Sequence, residues 1–70
     1  MSTTLTVNGT DETVTSPMTV AQLVDWMVGV SSRRGVAVAR NGSIVPRSTW
    51  KDVTLLEGDE IEIAAPFQGG

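Results

Sequence analysis

The sequence predicts an α+β fold, a mixed five-stranded sheet covered on one face by a single helix. Three observations carry this expectation. Apolar and polar residues alternate in several short runs separated by Gly-containing turns. One stretch alone has helical spacing behind a capping sequence. A last alternating run, "EIEIA", follows a Gly-Asp turn near the end. The predicted order is β-β-α-β-β-β, and one helix can cover only one face of the sheet.

In "LTVNGTDETVTS", Leu5 and Val7 alternate with Thr4, Thr6 and Asn8. A Gly-containing turn and a Thr-rich stretch around Val14 follow, which reads as a β-hairpin. In "MTVAQLVDWMVG", Thr19 is suited to the N-cap with Gln22 at N3, and Met18 and Leu23 occupy the staple positions. Val20, Leu23, Val24 and Met27 form the stripe expected to be buried, Trp26 is expected at its edge, and Gly29 is expected to end the helix in a left-handed conformation. After "SSRRG", the run "VAVARNGSIVPRS" supplies an apolar strand, an Asn41-Gly42 turn and a short strand that Pro46 ends or confines to an edge. "TWKDV" reads as a short helical turn whose Trp50 caps the core. Ile61, Ile63 and Ala65 alternate with Glu60, Glu62 and Ala64 in the fifth strand.

Seventy residues make one domain, residues 1–70, near the size at which only about 60% of the unfolded chain's surface can be buried. There is no Cys and no His, which removes the thiolate nucleophile, the zinc-thiolate site and the usual neutral-pH base. A net charge of -3 disfavours general nucleic-acid binding. No apolar run approaches the roughly 20 residues of a membrane span, and "MSTTLTVNG" lacks the features of a signal peptide, so a soluble cytoplasmic protein is expected. Charge is unevenly spread: Arg33, Arg34, Arg40, Arg47 and Lys51 lie in one acid-free stretch, and five acids follow from Asp52 onward. This is either ordinary solvated charge or a polarised surface that orients a partner. Strand alternation divides Glu57, Asp59, Glu60 and Glu62 between a turn and a solvent face, so no catalytic or metal site is read from them.

The chain finishes on "APFQGG", with residues 66–70 expected to stand free of the fold. Gly69 and Gly70 add only backbone and a carboxylate, so a use for them lies in that carboxylate or in their thinness. The alternative is a frayed, functionless end. Phe67 reads either as a residue tucked against the sheet or as an exposed anchor for an enzyme pocket.

The single-helix arrangement, "VARNGSIVPRSTW", "LLEGDEIEI" and the terminal "GG" together resemble the small ubiquitin-like sulfur carriers of β-grasp fold, most closely the ThiS family of thiamine biosynthesis. Pro66, Phe67 and Gln68 stand where that family has small residues. The resemblance implies a protein co-substrate, not an enzyme. Its Gly70 carboxylate would be adenylated by an E1-like (ThiF-type) activating enzyme using ATP and magnesium, converted to a thiocarboxylate with sulfur from a donor protein, and used by a ThiG-type thiazole synthase. It implies no cofactor bound by the carrier, no nucleic-acid or membrane partner, and a free monomer. Gly69, Gln68, Phe67 and Pro66 would thread the terminus into the activating site. Other readings are a molybdopterin-type sulfur carrier, a ubiquitin-like protein modifier, and an interaction module with an inert tail.

If Leu5, Val7, Val14, Val36, Val38, Ile61 and Ile63 face the helix, the opposite face carries Thr4, Thr6, Thr13, Thr15, Ala37, Ala39, Glu62 and Ala64. Because the tail leaves from the strand containing Ala64, Ala37, Ala39, Ala64, Thr4 and Thr6 are docking candidates, with Arg40 and Arg47 as rim contacts. The competing reading is an ordinary solvated antiparallel surface.

Overall fold

Two Asn-Gly turns organise the sheet. The structure, a computed structural model, describes residues 1–29 and 34–65. Strands β1 (Ser2–Val7) and β2 (Thr10–Thr15) are joined through Asn8 and Gly9, both at positive φ; β3 (Ala37–Arg40) and β4 (Ser43–Ile44) are joined in the same way through Asn41 and Gly42. Two successive positive φ values match the twist of a tight hairpin, and Asn and Gly are the residues that adopt them at least cost. With β5 (Glu60–Ala64) in the middle, the sheet order is β2-β1-β5-β3-β4. β5 runs parallel to β1 and antiparallel to β3.

Helix α1 (Val20–Val28) begins as its sequence predicts. Thr19 Oγ1 accepts the Gln22 N–H at 3.2 Å, and Gln22 Oε1 accepts the Thr19 N–H at 2.9 Å, which closes a capping box. Val20, Leu23 and Val24 are fully buried. The stripe departs from expectation in its last turn, where Met27 is 40% exposed and Val28 packs on the core instead. Trp26 also departs. It points about 120° away from the stripe and is 57% exposed, at the rim of a groove with Met18 and Val14. Gly29 ends the helix with positive φ but extended ψ (89°, 149°), a conformation that glycine alone adopts readily, rather than in the left-handed helical region.

The core fills the space between helix and sheet with Leu5, Val7, Val14, Val36, Val38 and Ile61, closed at one side by Val45, Trp50 and Leu55. Trp50 lies in a 3₁₀ helix (Arg47–Asp52) and donates its indole N–H to the Val45 carbonyl at 2.9 Å, so a large ring is buried with its one polar atom satisfied.

Candidate functional site

Strand alternation gives the sheet its second face. Ile63 packs on the core, while Glu62 and Ala64 point away from it. The register sets Ala39 opposite Glu62 and Ala37 opposite Ala64. Ala37, Ala39 and Ala64 are thus brought together on the outer face at the end of β5 from which the chain continues to residue 66. Thr6 lies level with Glu60, farther back along β5, and Thr4 is another strand step away, about 20 Å from Ala64. Thr4 and Thr13 hydroxyls approach to 3.3 Å across the β1·β2 pair. The outer face is therefore divided: threonines on β1 and β2, alanines on β3 and β5, with Glu60 and Glu62 exposed between them.

One residue of this surface is missing from the sequence reading. Ile44 is 72% exposed, and its pairing with Ala39 puts it on the same face. The signal was present in the Asn41-Gly42 pair: a two-residue turn fixes Arg40 against Ser43 and Ala39 against Ile44, and paired residues share a face. Ile44 with the three alanines makes an apolar patch near the end of β5.

The two arginines differ in their placement. Arg40 shares the inward parity of Val38 and donates its Nε–H to Asp59 Oδ2 at 2.9 Å. Arg47 lies with its guanidinium 5.2 Å from the centre of the Trp50 ring, in a depression shared with Ala21, Ser48 and Lys51 on the helix side. Arg47 thus lies away from the alanines, whereas Arg40, though turned toward Asp59, lines a depression together with Ile44 at the edge of the patch. Pro66, Phe67, Gln68, Gly69, Gly70 and Arg33 lie outside the described residues.

Asp59 is 5% exposed and accepts three hydrogen bonds: from Arg40 Nε, from Asn41 Nδ2 at 3.1 Å and from the Leu56 N–H at 2.8 Å. Burial pushes its carboxyl pKa up, but the Leu56 amide, the Arg40 and Asn41 donors and the Arg40 charge together outweigh it and hold the group below the ordinary aspartate value. This acid is a structural staple of the turn leading into β5. Glu57 also has a local task, since its Oε1 accepts the Thr4 N–H at 2.9 Å. Among the described residues, no three acids converge as a metal-ligand set, and no helix is long and apolar enough to cross a membrane.

Comparison with known proteins agrees with this geometry. A family model described as the ThiS family matches residues 4–70. Over 66 residues, 94% of the chain, the sequence is 42% identical to a protein named thiazole synthase from Paramagnetospirillum magneticum; the chain spans 20% of that relative's length. The crystal structure of the thiamine biosynthesis protein ThiS from Geobacter metallireducens matches with a TM-score of 0.78 at 30% identity, covering 96% of this chain and 99% of that one. Sequence, sheet order and helix placement converge, and the chain belongs to the ThiS family, with a ubiquitin-like β-grasp fold.

Proposed function

We propose that this protein carries sulfur for thiazole formation in thiamine biosynthesis as a thiocarboxylate on Gly70. The observation that carries the reading is that the family match runs through the terminal glycines to residue 70. The likeness to a protein named thiazole synthase, within which a ThiS-like stretch occupies a fifth of the length, supports a ThiG-type enzyme as the recipient.

The chemistry follows from the poverty of a carboxylate as an acyl donor. A Gly70 carboxylate oxygen attacks the α-phosphorus of ATP and pyrophosphate departs with the bonding electron pair. The acyl carbon then carries AMP as a stabilised leaving group. A sulfide-level nucleophile from a sulfur donor protein adds to that carbon and expels AMP, leaving the thiocarboxylate. ATP and magnesium act in the ThiF-type activating enzyme, where charge on the reacting phosphate must be stabilised. The carrier itself contributes a substrate group. Gly69 and Gly70 are thin enough to enter a closed site, with Pro66, Phe67 and Gln68 leading them in. Ordering each glycine costs about 1–2 kcal/mol of backbone entropy, so docking of the folded domain must offset it. The patch of Ile44, Ala37, Ala39 and Ala64 is the surface best placed to dock, because it adjoins the strand end from which the tail continues.

Intact-protein mass after incubation with ATP, magnesium, a sulfur source and a ThiF-type enzyme tests the reading. The expected product shows one oxygen replaced by sulfur, and a chain extended by one residue after Gly70 remains unmodified. Higher-mass lysine conjugates would establish a protein modifier instead, and no change with the parent chain would favour an interaction module.

A further inference from the structure

The β1·β5 ladder is longer than its backbone pairing. Thr6 and Asn8 donate their N–H groups to the Asp59 and Ile61 carbonyls at 2.9 and 2.8 Å, after which β1 ends and the chain turns away at Gly9. The next rung would leave the Ile63 backbone groups facing an empty edge. The Asn8 side chain fills it: Asn8 Oδ1 accepts the Ile63 N–H at 2.8 Å, and Asn8 Nδ2 donates to the Ile63 carbonyl at 3.1 Å. A carboxamide has the same donor and acceptor pair as a peptide, so Asn8 acts as one further residue of β1.

The position of this rung gives it a consequence. Ile63 lies two residues before Ala65, the last described residue ahead of the tail. On its other side β5 is held by β3 as far as Ala64. With Asn8 in place the strand is gripped from both sides to Ile63; without it, the final turn of β5 is gripped from β3 alone. We infer that Asn8 is a positioning residue for the reaction of Gly70, fixing the direction in which the C-terminal segment leaves the sheet relative to the docking face. This rests on the sulfur-carrier reading. Gly70 lies seven residues beyond Ile63, a maximal reach of about 25 Å, so where and in which direction the chain leaves the sheet bounds the region its carboxylate can reach.

The second turn supplies a control. Asn41 has the same φ of 52° as Asn8, and its Oδ1 likewise accepts a β5 amide, that of Glu60 at 2.9 Å, but at the start of the strand. Glycine tolerates positive φ, so Asn8→Gly and Asn41→Gly each delete a side-chain clamp while sparing the turn.

The test measures pyrophosphate release by a ThiF-type enzyme over a range of carrier concentrations, together with amide exchange of the free carriers. For Asn8→Gly the expected result is kcat lowered about 5–10-fold with KM for the carrier within about twofold of the parent. The Ile63 amide should exchange about tenfold faster while Ile61 does not change. Asn8→Asp keeps the acceptor for the Ile63 N–H and should restore part of kcat. Asn41→Gly should lower stability and leave kcat at the parent value. A clamp that merely stabilised the fold would act through the folded fraction, raising apparent KM at constant kcat, and that pattern for Asn8→Gly would overturn the inference. Absence of adenylate formation by the parent chain is a separate outcome, overturning the sulfur-carrier reading and this inference with it.

Discussion

Asp59 sits in "LLEGDEIEI" as one turn acid among several, yet it is the acid that is buried. Its partners come from three places: Leu56 in its own turn, Arg40 at the end of β3 and Asn41 in the following hairpin turn. Because the folded carboxyl is held below its ordinary pKa, it contributes stability at neutral pH. That contribution is complete above the unfolded value, about 3.9, and is lost as pH falls through that value toward the lowered one. Asp59→Asn should therefore reduce stability at pH 7 by about 2 kcal/mol and flatten its acid dependence. Urea unfolding of both proteins between pH 7 and 3 checks this, with the two curves converging at the acid end. The two tryptophans show the same limit of local reading. Trp50 is buried because its indole N–H reaches Val45, whereas Trp26, only two residues past the buried Val24, falls on the outer side of the helix.

Elements were legible where their causes are local. A Thr19-to-Gln22 capping box, two Asn-Gly turns and period-two alternation each act within a few residues, and each element they predict is present. What could not be read is the way side chains complete the sheet. Asn8 reaches Ile63 and Glu57 reaches Thr4, separations of 55 and 53 residues that close only once β5 lies beside β1. The outer face was legible in its alanines and threonines, but Ile44 required the hairpin register as well as alternation. With that register, Ile44→Asp and Ala39→Asp should weaken docking to the proposed ThiF-type partner at least tenfold by placing a charge where water must be removed, and should move the thermal midpoint by no more than a few degrees. Binding of each variant by calorimetry, beside a thermal melt, checks both halves. Thr4→Asp, about 20 Å from Ala64 along the same face, should bind like the parent.

At the scale of the whole molecule, the division of charge along the sequence is partly undone by folding. Arg40 crosses from the basic stretch to pair with Asp59 of the acidic one, while Arg47 and Lys51 gather on the 3₁₀ helix and Glu60 and Glu62 on the opposite sheet face. The first and last strands lie side by side and parallel, with Thr6 level with Glu60 and Val7 with Ile61. This arrangement has a mechanical consequence. Tension between the N-terminus and Gly70 pulls β1 and β5 in opposite directions along their length, so the rungs between them, the Asn8 carboxamide included, bear the load together in shear. In the β3·β4 hairpin a pull at residues 36 and 46 opens the ladder one rung at a time. Single-molecule extension from residues 1 and 70 should thus require a distinctly higher rupture force than extension from residues 36 and 46, so the folded body resists a pull along β1 and β5 far better than one that unzips the second hairpin.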